Sequence, residues 1–281
     1  MRSISRTRWA AIPIGIALAI VLAGCTQQEL QGWMPGDPET TNHTGRIIGL
    51  WVTSWIVLLV VGLLTWGLII WAAVVYRRRK GQTGLPVQLR YNLPIEAFYT
   101  IVPIVLILGF FAFTARDQAI IEQPHENPDV TIEVIGKRWS WDFNYINEDV
   151  FFAGEQLELS DDGQINVSKM PTLVLPVGAE VELLIESRDV VHSFWVPEFL
   201  YKKDNLPGKS NAMYFIPQKI GTYAGKCAEL CGEHHYLMLF EVEVVSQADY
   251  DAYIASLRAA GNEGRLGLDY NVNLNLPGNG S

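Results

Sequence analysis

The segment CAELCGEHHYLM, residues 227–238, brings Cys227, Glu229, Cys231, His234, His235 and Met238 into one turn-rich stretch. Thiol, imidazole and thioether groups bind late transition metals. Three chemistries fit these residue types. Two cysteines spaced C-x-x-x-C outside the cytoplasm can pair as a disulfide. Cysteine with histidine also suits zinc, although a methionine has no place in a zinc site. Thiolate, imidazole and a weak axial thioether together suit copper in an electron-transfer centre. A single-copper site of that kind uses one cysteine, whereas two thiolates can bridge two ions and share the unpaired electron. Two ions need two imidazoles. Besides His235, His192 in SRDVVHSFWVPEF lies in a segment expected to be a loop of the outer domain, while His43 and His125 lie near apolar segments.

The side of the membrane on which this cluster lies follows from the first hundred residues. A cationic start, MRSISRTRW, precedes the apolar core AAIPIGIALAIVLAG, which is too short to span a bilayer and ends at Cys25. This is the form of an export signal. LAGC has the form of a bacterial lipobox, which implies removal of residues 1–24 and a diacylglycerol on the Cys25 sulfur. The uncharged run 47–76, at ~1.5 Å per helical residue, more than covers the ~30 Å hydrocarbon core. A second apolar run, 93–115, contains Pro103, which membrane helices tolerate. The connection holds Arg77, Arg78, Arg79, Lys80 and Arg90 and no acid. The positive-inside rule places it in the cytoplasm, so both ends of this transmembrane hairpin (46–116) face outward, including the short outer segment 25–45.

Beyond Arg116 acidic residues outnumber basic ones more than two to one, a bias that the chain's net charge of −9 conceals. Such a charge should steer basic partners and repel nucleic acid, but on charge alone plain solubility is the better reading. VTIEVIG, SWDFNYI, PTLVLPVG, EVELLIESR, NAMYFIP and FEVEVV alternate as half-buried strands between Gly, Pro and Asn breaks. They predict a membrane-anchored, all-β outer domain over 117–245, a cupredoxin-like antiparallel β-barrel. SQADYDAYIASLRAAG predicts an amphipathic helix capped by Ser246, and the Gly- and Asn-rich end from Gly261 to residue 281 predicts a loosely held tail.

With these elements in place the chain resembles subunit II of cytochrome c oxidase from about residue 44 to 245. The pattern C-x-E-x-C-x-x-x-H-x-x-M is complete as Cys227, Glu229, Cys231, His235 and Met238, and D-V-x-H-S-F stands at 189–194. The resemblance implies a dinuclear copper centre (CuA). Cys227 and Cys231 would bridge it, His192 and His235 would bind one ion each, and Met238 and the Glu229 carbonyl would be the weak ligands. It further implies a magnesium or manganese ion on the Glu229 side chain at the contact with the catalytic haem-copper subunit I. His234 falls outside the family spacing and is expected beside the site or at an interface.

The family's aromatic stretch W-Y-W appears as Trp139, Ser140 and Trp141, which implies that Trp139 accepts electrons from a c-type cytochrome. In a strand the two tryptophans would face the same side as core aromatics. Glu96 stands in E-x-x-Y-T-x-x-P, where the family has E-x-x-W-T-x-x-P, and the resemblance places it at the mouth of a proton pathway. An acid beside Pro94 in a first helical turn is equally an ordinary helix start. Residues 147–172 are longer and more acidic than the expected strand connection and suit either an extra hairpin touching the donor, within a larger complex, or a solvated excursion with no partner. Lys202, Lys203 and Lys209 suggest a solvated loop.

The expected function is thus an electron-transfer subunit of a bacterial cell-membrane oxidase, with two helices, both termini outside, and subunit I, other oxidase subunits and lipid as partners. A membrane-anchored copper chaperone or store would use similar ligands without the hairpin. The structural subunit II of a quinol oxidase would lack the ligands.

Overall fold

The computed structural model describes residues 26–85, 88–160 and 162–267. The expected signal peptide, Cys25 and the tail beyond residue 267 lie outside the described residues. The chain divides into two units, Met1–Pro35 with Ile48–Gln88, and Gly36–Ile47 with Leu89–Ser281.

In the first unit a short helix, α1 (Gln27–Leu30), starts with a capping box. Thr26 Oγ1 accepts the Glu29 amide at 3.3 Å and the Glu29 carboxylate accepts the Thr26 amide at 2.7 Å. The long helix α2 (Thr44–Val75) is apolar enough over a bilayer's length to cross a membrane. Its side chains face outward along most of its length, as expected of a helix that meets lipid.

In the second unit the apolar helix α3 (Leu93–Ile121) is capped by Asn92, has Pro94 in its first turn and carries Pro103 inside. It continues past the expected end at residue 115, because hydropathy marks only the stretch suited to lipid and the polar residues that follow still form helix. Arg46 and Arg116 both donate to the buried Asp117 there, at 3.1 and 3.0 Å.

The rest of the second unit is a two-sheet sandwich. One sheet has the order β3 (Val150–Ala153), β2 (Ser140–Tyr145), β1 (Val130–Lys137), β5 (Val181–Ser187), β8 (Asn211–Phe215). The other has the order β4 (Thr172–Pro176), β10 (Leu239–Val245), β9 (Gly221–Cys227), β6 (His192–Val196), β7 (Tyr201–Asn205). The pairings β1 with β5 and β4 with β10 are parallel and the rest antiparallel, so the expectation of a wholly antiparallel barrel is modified at those two seams. Alternate residues of β5, β9 and β10 turn inward onto Trp141, Phe143, Tyr145, Phe194, Phe215 and Phe240. Each such side chain contributes about 1.5–3 kcal/mol by leaving water.

Helix α4 (Gln247–Ala259) is capped by Ser246, which accepts the Asp249 amide at 3.2 Å, as expected. The segment after it departs from the expected loose tail. Residues 262–267 cross the outer face of the first sheet. Leu266 is buried and exchanges hydrogen bonds with Asn144, Arg188 donates to the Gly267 carbonyl at 2.7 Å, and Arg265 pairs with Glu133. This segment covers Asn144 on the outer side of β2, while Trp141, Phe143 and Tyr145 of the same strand are buried in the core.

Residues 150–153 of the expected insertion form an ordinary edge strand and Thr172 begins β4; among the described residues between them are the bridge of Leu159 to Ile165 and a short 3-10 turn at Val167–Lys169. Lys202 and Lys203 lie on strand β7 rather than in a loop, and Lys203 pairs with Glu122. Cross-strand pairing with β6 overrides the local run of charge.

Candidate metal centre

Strand register builds the site. Phe194 of β6 pairs with Cys227 at the end of β9, which sets His192 two residues from that pair. The loop that leaves β9 is closed at its neck by the Cys227 amide, which donates to the Met238 carbonyl at 3.0 Å, and by the Ala228 amide on the Ser193 carbonyl. A short 3-10 turn, His235–Leu237, then folds His235 and Met238 back toward the cysteines. His192 is therefore a strand residue and not the loop residue expected from sequence.

Six groups converge. His192 Nδ1 lies 3.9 Å from Cys227 Sγ, and Cys227 Sγ lies 3.9 Å from Cys231 Sγ. Cys231 Sγ is 3.5 Å from His235 Nδ1 and 3.7 Å from Met238 Sδ. The Glu229 carbonyl oxygen is 3.1 Å from Cys227 Sγ. Both cysteines are buried and free, and their separation far exceeds a disulfide bond of about 2.05 Å. The ligand atoms of His192, Cys227 and Cys231 all fall within 4.8 Å of one another. Thiolate sulfur, thioether sulfur, imidazole nitrogen and carbonyl oxygen all offer lone pairs, so what satisfies them together is a cation. The donor set is soft and borderline, and with two thiolates, two imidazoles and a thioether it fits copper better than zinc.

The surrounding groups prepare the set for a metal. Asp189, fully buried, accepts from His192 Nε2 at 2.7 Å, which leaves Nδ1 with its lone pair toward the sulfurs. Burial pushes the His192 pKa down, but the hydrogen bonds to Asp189 and Cys227 outweigh it and leave the imidazole raised. Burial likewise opposes the Asp189 charge, and hydrogen bonds from His192 and from the Arg138 and Val190 amides prevail, holding its carboxyl below the usual range. The hydrogen bond from Cys231 brings the Cys227 thiol down to about 3 against the effect of burial; the same bond, with burial, pushes Cys231 up. Asp189 had only a pattern match in the sequence. Its position three residues before His192 was the available signal.

Two glycines leave room, one for the ligand His192 and one for Trp139. A Cβ on Gly136 would stand 2.9 Å from the His192 ring, and one on Gly232, which has φ +125°, would stand 3.2 Å from the Trp139 ring.

Trp139 and Trp141 do not share a face. Trp141 is in β2 and fully buried against Phe194 and Phe240, whereas Trp139 lies in the preceding turn, half-buried over Gly232, with Nε1 donating to the Cys231 carbonyl at 3.3 Å. His234 packs its edge on Trp139 at 4.7 Å between ring centroids. Glu229 is exposed. Glu96 is remote from this cluster in sequence and element, in the first turn of α3, where its carboxylate accepts the Asn92 amide at 2.8 Å.

The family described as "Cytochrome C oxidase subunit II, periplasmic domain" matches residues 130–245. The chain is 40% identical to a probable cytochrome c oxidase subunit 2 of Streptomyces coelicolor, over 94% of this chain and 90% of that relative. It is 33% identical to cytochrome c oxidase subunit 2 of Mycobacterium tuberculosis, over 85% of this chain and 78% of that relative. The crystal structure of the periplasmic domain of subunit II of cytochrome oxidase of Bradyrhizobium japonicum is similar at 26% identity and a TM-score of 0.42, covering 48% of this chain and 96% of that chain. By its kinship over nearly its whole length, this chain belongs to the cytochrome c oxidase subunit 2 family.

Proposed function

We propose that this chain accepts electrons one at a time from a c-type cytochrome at its outer face. It passes them to haem in the catalytic subunit of a cytochrome c oxidase, where dioxygen is reduced to water with proton pumping. The observation that carries this reading is the convergence of two free cysteines, two imidazoles, Met238 and the Glu229 carbonyl, with Trp139 hydrogen-bonded to the backbone of Cys231.

His192, Cys227, Cys231, His235, Met238 and the Glu229 carbonyl would hold a dinuclear copper A centre. When bound, such a pair of ions supplies a one-electron couple whose geometry changes little on reduction. The chain's own residues do the rest. Asp189 fixes the His192 tautomer, the closed neck between Cys227 and Met238 holds the donors in place, and burial excludes water. Trp139 presents a partly exposed ring whose N–H reaches the Cys231 carbonyl, a hydrogen-bonded route to the backbone of a thiolate ligand. The exposed Glu229 carboxylate is free to take a hard cation, magnesium or manganese, where subunit I docks.

The remaining assignments complete this reading. Cys25 carries the lipid after removal of residues 1–24, α2 and α3 cross the cell membrane with both termini outside, and Glu96 stands at a proton-pathway mouth. The acidic stretch within residues 147–172 faces the donor, inside a larger respiratory complex.

The test is metal analysis with electron-spin resonance of the purified native complex. A delocalised mixed-valence copper signal from this subunit, quenched by reduced c-type cytochrome, is expected. A Cys227–Cys231 cystine or a zinc ion in the isolated holoprotein would overturn the proposal.

A further inference from the structure

The turn that follows α1 is a Schellman motif. The Gly32 amide donates to the Glu29 carbonyl at 3.0 Å and the Trp33 amide to the Gln28 carbonyl at 2.9 Å, with Gly32 at φ +64°. In such motifs the residue in the position of Trp33 commonly makes an apolar contact with the one in the position of Gln28. Here that neighbour is polar, and the indole of Trp33 is 70% exposed, beside Leu30 at 57%. Trp33 itself holds φ +57°, a left-handed conformation that residues with a Cβ avoid. A large apolar ring held outward in a disfavoured backbone state points to a surface that receives it.

What lies beside that ring follows from how the turn is fastened. Trp51 Nε1 donates to the Gly32 carbonyl at 2.9 Å, and a Cβ at position 32 would stand 2.8 Å from the same nitrogen. The turn is thus tied to α2 at the level of Trp51. Trp51 and Trp71 are twenty residues apart on α2, hence ~30 Å along its axis, which is the thickness of the hydrocarbon core. Tryptophans collect at the two boundaries of a spanning helix. Trp51 therefore marks one boundary, and the turn hangs beside it.

We propose that Trp33, with Leu30, is a membrane-interface anchor that seats the outer N-terminal segment in the headgroup and acyl boundary of the phospholipid bilayer. The inference rests on the reading that α2 spans the membrane. The capped side of α1, with Gln27, Gln28 and Glu29, supplies the polar groups that face headgroups and water.

The test uses the complete oxidase complex in phospholipid nanodiscs, with Trp33→p-benzoylphenylalanine and, separately, Leu64→p-benzoylphenylalanine on the mid-span part of α2. Both positions are exposed on the chain, at 70% and 63%, so neither change burdens folding. After irradiation, mass spectrometry is expected to find phospholipid adducts at position 33 at a yield comparable to that at position 64. A protein adduct at 33, or phospholipid adducts at 64 with none at 33, overturns the anchor while leaving the span intact. Loss of lipid adducts at both positions overturns the spanning reading, and the anchor with it.

Discussion

The Trp139 indole N–H donates to the backbone carbonyl of Cys231, 3.3 Å away, so a partly buried ring is one hydrogen bond from a residue whose sulfur lies at the heart of the cluster. Trp139→Ala breaks this link without touching a donor atom. We expect the copper spectrum to persist while reduction by the c-type cytochrome slows by at least about tenfold, equivalent to ~1.4 kcal/mol in the barrier. Stopped-flow reduction reads the change. Unaltered kinetics would remove Trp139 from the route.

Asp189 acts on the centre through His192. Its carboxylate accepts from Nε2 at 2.7 Å and is held ionised by the Arg138 and Val190 amides. Asp189→Asn keeps the shape but permits the amide to present its NH2 to Nε2, favouring the wrong tautomer. Loss of such a partner to a ligating histidine costs about 10–100-fold in metal affinity. Competition with a copper chelator measures this; affinity equal to the parent's would show that His192 is oriented by packing alone.

Gly136 faces the same imidazole from β1. A methyl at that position would stand 2.9 Å from the His192 ring, which is itself fixed by Asp189 and by strand pairing. Gly136→Ala is expected to displace His192 and weaken copper loading with little loss of β-structure. Circular dichroism alongside copper stoichiometry separates the two, and full copper occupancy would mean that the ring has room to yield.

The cluster was legible because five of its six donors come from one contiguous loop, whose spacing survives any uncertainty about the fold. His192 was legible as a histidine in a segment of the outer domain and through the resemblance, but not by position, since its approach depends on the pairing of β6 with β9 that brings it to Cys227 across 35 residues of chain. Asp189, Gly136 and Gly232 act through contacts across the sandwich, which alternation of apolar residues cannot reveal. The same holds for Leu266: GNEGRLGL has the composition of a tail, yet Asn144, Arg188 and Glu133 each supply a partner from distant strands. Trp139 and Trp141 looked equivalent as a pair two residues apart, and the turn between β1 and β2 separated them. Hydropathy found both long helices but not the end of α3, which continues in polar residues to Ile121.

Glu96 carries two roles that a conservative change can separate. Its carboxylate accepts the Asn92 amide at 2.8 Å, so it caps α3. A glutamine can still accept that bond through its side-chain oxygen but cannot carry a proton. If Glu96 loads protons, Glu96→Gln should slow turnover and proton uptake of the oxidase as much as Glu96→Ala does. If capping is its whole contribution, the glutamine variant turns over normally, and the alanine variant loses about 0.5–2 kcal/mol of helix stability.

Glu186 supplies a test of the outer face of the first sheet. Burial, and then the charge of nearby Glu133, raises its pKa above the ordinary 4.5. For Glu133 burial acts in the same direction, but hydrogen bonds from Arg265 and Asn144 prevail and lower it. The folded chain therefore holds the Glu186 proton to a higher pH than the unfolded chain does. Between those two values the folded state binds more protons, so stability falls as pH rises through the window. Glu186→Gln removes that loss. Its Tm should exceed the parent's at about pH 8, and the gap should close as pH falls below the unfolded value of 4.5. Calorimetry of the purified full-length chain across that range decides it: a gap that stays constant with pH would mean that the substitution acts through packing or hydrogen bonding and that Glu186 is not held against its charge.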